Sequence, residues 1–378
     1  MELLIRNADA VTGSVLMEPL QIIKDFPILM SCTSAPPEYD VVADLIWEIS
    51  KESGLIQLQK LIPLGVLYSN QHSGTVGLLW AEHHTEFSKF LAKYNPKSVL
   101  EIGGGHGMLA TEYSRHATAS WTIVEPSPTP VIDCPARFIK SLFNSDFNYS
   151  EEFDTIVHSH VFEHIYQPNA FIEQLSGLLV NGSHHIFTLP NLQVMLDRNY
   201  SNCLNFEHTI FLTEPYIEYL LAKHGFRVIE KQYFKDDHSI FYATVKDSTV
   251  LPITLSQALY AKNKQTFTNS FEKQTALITF LNTALLPAPG EVYLFGAHIF
   301  SQQLIQSGLV VDNITGILDN DPKKQDLRLY GTTMKIFSPD VLNGKISPTV
   351  ILNCAAYNNE IKVALSEINP NTIFLEQP

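Results

Sequence analysis

Cysteine is scarce: Cys32, Cys134, Cys203 and Cys354 are the only four in 378 residues, and none stands near another. Their isolation excludes the paired spacing of a zinc knuckle, a redox dithiol or a disulfide framework, so we expect free, mostly buried thiols. No run reaches the roughly 18 uninterrupted apolar residues of a membrane span. The opening MELLIRNADA lacks the basic start and long apolar stretch of a secretory signal; the expectation is a cytoplasmic protein with no membrane partner. Positive charge is also thin. Lys and Arg number 25 against 39 Asp and Glu, a formal net charge of −14, and no dense basic stripe tracks a chain of phosphates, which speaks against nucleic acid as a partner. Tandem repeats and low-complexity tracts are missing too. What remains is a chain long enough for two or three globular domains with a sizeable core.

The stretch Val99 to Gly107, VLEIGGGHG, reads as a buried strand running into a glycine loop. Ahead of it, HHTEFSKFLAKY from His83 places Phe87, Phe90 and Leu91 at helical spacing, stopped by Asn95-Pro96. Strand patterns follow in SWTIVE, FDTIVHS and HHIFTLP at intervals that alternate with helices. This rhythm predicts an α/β fold, a Rossmann-like doubly wound parallel sheet, with Phe226–Phe234 and Ser239–Lys246 as an antiparallel pair closing its edge. The expected organisation is a small irregular N-terminal unit over 1–72, the central domain over 73–248, a helical connector over 249–288 and a second, smaller Rossmann-like unit over 289–378. In the last unit, VYLFGAH sets a strand before Gly296 without a full phosphate fingerprint, leaving nucleotide binding and scaffolding both open.

Gly103, Gly105 and Gly107 follow Glu101 in the pattern Glu-x-Gly-x-Gly-x-Gly. A dinucleotide fingerprint needs its third glycine at position 108, where Met108 stands, which argues against NAD. Glu125 ends the next strand, 22 residues beyond Gly103, where a carboxylate accepts hydrogen bonds from both ribose hydroxyls. Strand, loop and acid together indicate a nucleoside cofactor. The layout over about 73–246 resembles the class I methyltransferases that use S-adenosylmethionine. That resemblance implies that Gly103, Gly105 and Gly107 line the methionine and ribose, that Glu125 holds the ribose, and that Ser141, Leu142 and Phe143 flank the adenine.

With such a cofactor the protein must position a nucleophile and take its proton, so the search is for a base. Two Glu-His pairs lie at carboxyl ends of strands: Glu163-His164 in SHVFEHI and Glu207-His208 in NFEHTIF. Histidine suits proton abstraction near neutrality, and a neighbouring carboxylate orients it. His160 and His164 fall near the expected methionine end of the cofactor. His208 sits in a polar insertion, 198–208, that covers a substrate, and is the first choice. Tyr68, Ser69, Asn70, His72 and Ser73 in LYSNQHSGT form a polar cluster suited to a sugar or an enolate oxygen, or an ordinary linker.

Several stretches together resemble one family, the three-domain sugar C-methyltransferases of nucleotide-linked keto sugars: GLIQL, LYSNQHSGT, VLEIGGGHG, SHVFEHI, FEHTIFLT, LFGAHIFSQQL, GILDNDPKKQ and LYGTTMKI. The resemblance implies that Glu207-His208 sits at the substrate site, with His208 as the base beside a ketone, and that the segment of Tyr68 lies at the pocket. It also implies a small nucleotide-sugar substrate; a monomer or homodimer is expected. The chain departs from the family at two places. The family's two Cys-x-x-Cys pairs fall on Asn7 and Ala10 and on Ser50 and Ser53, so no structural zinc is expected and no metal ligand is assigned. Asp236, Asp237, His238 and Ser239 replace His-Gly-Gly-Ser, and Asn205 replaces a tyrosine, so Asn70, His72, Asn205 and His238 are expected to line an altered substrate pocket. Asp236 and Asp237 suit a cationic or polyhydroxyl ligand, or a solvated turn. Two other functions fit the same cofactor site: oxygen or nitrogen methylation of a related metabolite, and a non-catalytic protein that binds S-adenosylmethionine.

Overall fold

The computed structural model describes residues 2–68, 77–147, 149, 151–286 and 290–376. Three strands of the N-terminal region, β1 (Met17–Pro27), β2 (Val42–Ser50) and β3 (Ile56–Leu58), form an antiparallel sheet in the order β1-β2-β3. Trp47, Ile49 and Leu58 are fully buried there. Near the positions that match the family's cysteines, hydrogen bonds link the two turns. The Ser53 hydroxyl donates to Asp9 Oδ2, while Asp9 Oδ1 accepts from the Val11 and Thr12 amides at 2.8 and 2.9 Å. Both side chains are buried. Asp9→Ala strands these donors and is expected to cost about 1–3 kcal/mol, read from the urea midpoint; a change within about 0.3 kcal/mol would mean that the link adds nothing.

The central sheet contains β4 (Ser98–Ile102), β5 (Ser120–Glu125), β6 (Arg137–Lys140), β7 (Thr155–Ser159), β8 (His184–Pro190), β9 (Phe226–Phe234) and β10 (Ser239–Lys246). Their order is β9-β10-β8-β7-β4-β5-β6, and only β10 runs against the rest. Continuous burial of Val99, Leu100, Ile123, Ile156, Val157 and Ile186 reflects a sheet covered on both faces. The chain leaves β4 for β5 and β6 and then crosses back to β7. That reversal between β4 and β7 opens a crevice at the carboxyl ends of the strands, where such sheets bind ligands. β6 is the one strand of this sheet that the sequence pattern does not reveal. Its four residues, RFIK, lie at an edge and are exposed or only half-buried.

Helix α1 (Leu78–Ala92) begins five residues before His83, so Trp80 also lies on it. The connector is a single helix, α2 (Ala258–Leu285). Asn263 on α2 donates to the Gly54 carbonyl at 2.9 Å and to the Tyr216 hydroxyl at 2.8 Å. Gly54 sits at φ +74°, and a Cβ there would lie 2.5 Å from the backbone of Leu259; only glycine allows this approach. Four-residue and five-residue strands β11 (Val292–Phe295), β12 (Ile314–Leu318) and β14 (Thr349–Leu352), with β13 (Ile336–Phe337) and β15 (Ile373–Glu376), make a parallel sheet in the order β13-β12-β11-β14-β15.

The LYGTT stretch of this C-terminal unit docks on the N-terminal strands. Arg328 clasps Asp40 through two nitrogens at 2.5 and 2.8 Å, and Gly331 packs directly on the Pro27 ring. None of the helices among the described residues is long and apolar enough to cross a membrane.

Candidate active site

Beyond β4 the chain turns sharply through Gly103, Gly105 and Gly107, all at positive φ (+70°, +52° and +76°). Two of these glycines are required by the protein's own packing. A Cβ on Gly103 would lie 2.7 Å from Val161, and one on Gly107 would collide with the Cys134 sulfur. Gly105 differs, because a Cβ there meets nothing within 4 Å. The loop therefore presents its backbone to open space at Gly105. Glu125, at the end of β5, accepts from the Gly105 amide at 3.1 Å and from the Ser127 amide at 3.1 Å, and it is only half-buried. A glycine rim beside a carboxylate with accessible surface fits a ribose and its attached groups.

A second cluster lies across the carboxyl ends of β7 and β8. Glu163 and His164 follow β7 in a short 3-10 turn, Phe162–His164. The His164 Nδ1 lies 3.2 Å from the Glu207 carbonyl, and its ring stands 4.9 Å from that of His208. Glu163 is 1 % exposed, with Oε1 at 3.8 Å from His164 Nε2 and 3.3 Å from His160 Nδ1. His208 Nδ1 is buried with no hydrogen-bond partner. Burial, with the neighbouring His164, lowers the His208 pKa to about 4 against the opposing pull of Glu163 and Glu207, so at neutral pH the ring is an uncharged acceptor. Tyr68 belongs to the same neighbourhood. Burial first, then the charges of Glu207, Glu163 and Glu125, raise its pKa and keep the phenol a donor.

Residues 78–231 match the family model described as a methyltransferase domain. This is a class I methyltransferase domain. Its methyl donor is S-adenosylmethionine. Among solved structures, the N-methyltransferase NodS from Bradyrhizobium japonicum WM9 in complex with S-adenosyl-L-homocysteine is similar at 16% identity and a TM-score of 0.35, over 45% of this chain and 88% of that chain. Magnesium protoporphyrin IX methyltransferase from Synechocystis PCC 6803 is similar at 14% identity and a TM-score of 0.37, over 47% of this chain and 90% of that one. An O-methyltransferase family protein from Burkholderia thailandensis is similar at 13% identity and a TM-score of 0.36, over 45% and 57%. No curated protein matches the chain.

In this methyltransferase several expected site residues take other parts. Glu101 lies beneath the glycine loop, 2 % exposed, and accepts from the Trp121 indole at 2.7 Å. Burial raises its pKa to about 7, and it supports Gly104 from below rather than facing a ligand. Asn205 is not a substrate ligand, because its polar atoms are used within the loop. Its Oδ1 accepts from the Glu207 and His208 amides at 2.7 and 2.9 Å, and its Nδ2 donates to Asn202; this is a turn that aims the Glu-His pair. His160 points away from the cofactor loop toward Ser239, its Nε2 at 2.9 Å from that hydroxyl, and it is Val161 that meets Gly103. His238 is 5 % exposed and packs on Trp80 and Phe234, so it does not face a solvent-filled pocket. Phe143 packs tilted against Phe147 and edge-on to Phe171 at the core boundary. Asn70 and His72 lie outside the described residues.

The stretch 198–208 is also less polar than its composition. Cys203, Leu204 and Phe206 are buried in a cluster with Phe26, Trp47 and Ile299. Two contributors escape the sequence reading altogether. Trp80 stands at the centre of a histidine group, and Arg6 reaches from the N-terminal region to the loops carrying His164 and His208. Neither is flagged by spacing, because each acts on residues far away in the chain.

Proposed function

We propose that the protein methylates carbon in a small, nucleotide-linked keto sugar, with His208 as the base that takes the proton next to the ketone. The observation that carries this reading is the uncharged, unpartnered His208 Nδ1 at the carboxyl end of the sheet, between two carboxylates and near a protonated phenol. Gly103, Gly105, Gly107 and Glu125 would hold S-adenosylmethionine, which supplies a methyl on a sulfonium ready for direct transfer. His208 accepts the proton, and Glu163 and Glu207 favour the imidazolium that results. Glu207 is fixed through its backbone by Asn205 and His164. The Tyr68 phenol donates to the developing enolate oxygen, an arrangement that stabilises charge only as it forms. The sugar and its nucleotide are the substrate class implied by the resemblance that runs through all three regions of the chain.

The test is to incubate the full chain with carbon-13 methyl-labelled S-adenosylmethionine and a set of nucleotide-linked keto sugars. A labelled methyl at the upfield carbon and proton shifts of a carbon-bound methyl, well away from those of an O- or N-methyl, is the expected outcome in the product NMR spectrum. A label on oxygen or nitrogen would overturn the carbon acceptor while leaving the methyltransferase assignment intact.

A further inference from the structure

The methyltransferase sheet brings together three histidines that no spacing relates. His83 comes from α1, His160 follows β7, and His238 lies in the turn between β9 and β10. One nitrogen from each lies within 4.8 Å of the others. We propose that His83, His160 and His238 bind a divalent transition-metal cation, of which Zn2+ is the representative probe.

The geometry supports this in three ways. Points no more than 4.8 Å apart fit inside a circle of radius about 2.8 Å, so each ring need move by less than about 1 Å to reach a metal–nitrogen bond of roughly 2.1 Å. Next, the hydrogen bonds fix where the lone pairs fall. His160 Nδ1 faces the Glu163 carboxylate at 3.3 Å without an aligned hydrogen bond, and the negative charge favours the ring proton on that side. The Ser239 hydroxyl, with one hydrogen, gives it to His160 Nε2 at 2.9 Å and accepts from His238 Nδ1 at 2.5 Å. With its Nδ1 donating, His238 would offer Nε2, and a metal taking His160 Nε2 would displace one serine hydrogen bond. Glu163 then stands behind His160 as the carboxylate that orients a metal-bound imidazole.

The third support is His83, fully buried with an unpartnered Nδ1, a cost that a bound ion would relieve. Trp80 packs edge-on against all three rings at 4.7–5.1 Å and limits their rotation. The His160 side chain keeps 16 % of its surface exposed, a path of entry. Three histidines leave a fourth coordination position open.

The test uses the full chain, stripped with chelator and then titrated with Zn2+ and, for a spectroscopic signature, Co2+. One equivalent per chain and a visible Co2+ absorption of tetrahedral intensity are expected. His238→Gln should lower affinity by at least tenfold, while His164→Gln, in the neighbouring Glu163, His164 and His208 group, should retain it; circular dichroism and thermal melts confirm that each variant is folded. Absence of binding by the native chain overturns the proposal, as does undiminished affinity in folded His238→Gln or loss of the ion in folded His164→Gln. The proposal stands independently of the acceptor, since binding is read without turnover.

Discussion

His208→Ala is expected to lower turnover by about 10²- to 10⁴-fold, the range for removing a positioned general base, while the affinity for S-adenosylhomocysteine stays within about twofold. The separation follows from the architecture. The glycine loop is fixed by Glu125 and by packing on Val161 rather than by His208. The turn that carries His208 depends on its backbone amide and on Asn205, both retained in alanine. The pH profile gives a second reading. A base must be unprotonated, and burial brings His208 to about 4 rather than the usual 6.5. Turnover of the native enzyme should therefore rise through about pH 4 and show no His208 limb near 6.5. Unchanged turnover in a folded His208→Ala protein would remove this residue from the chemistry.

Arg6→Ala should destabilise the protein by about 3–5 kcal/mol, measured by urea unfolding, because a buried cation is replaced by unpaired acceptors. Arg6 is only 8 % exposed. It donates from Nη1 to the Leu58 and Thr209 carbonyls at 3.1 and 3.0 Å and from Nη2 to the Tyr166 carbonyl at 2.9 Å. Thr209 follows His208 and Tyr166 lies two residues after His164, so one side chain ties both histidine loops to β3. Burial lowers its pKa to about 10, and it stays charged at neutral pH. Arg6→Lys offers one point charge in place of the planar fork and should fold, with kcat reduced more than KM or cofactor affinity. A stability change below about 1 kcal/mol for the alanine variant would mean that water satisfies the three carbonyls.

The central sheet was largely legible because buried parallel strands require continuous apolar runs, and VLEIG, SWTIVE and TIVHS carry them. The antiparallel pair Phe226–Phe234 and Ser239–Lys246 was legible for a related reason, since the two runs are joined by a short polar turn. The N-terminal sheet was not. β1 is half-exposed over most of its length and departs from regular register at two places, so alternation is blurred. The insertion before His208 read as polar because Cys203, Leu204 and Phe206 are outnumbered locally; their burial depends on Phe26 and Trp47, more than 150 residues earlier.

By itself, the sequence determined the glycine loop, the strand-end acid Glu125 beside it and the two Glu-His pairs, because strand ends, glycine turns and adjacent residues are local features. Tertiary structure alone decided which side chains share the site. It gathered His164 and His208, assigned Asn205 to aiming Glu207 and His208, turned His160 toward His83 and His238, and tied Arg6 to both histidine loops. These choices rest on contacts between residues dozens to hundreds of positions apart, where neither periodicity nor propensity carries information and only packing and hydrogen-bond satisfaction select the partner.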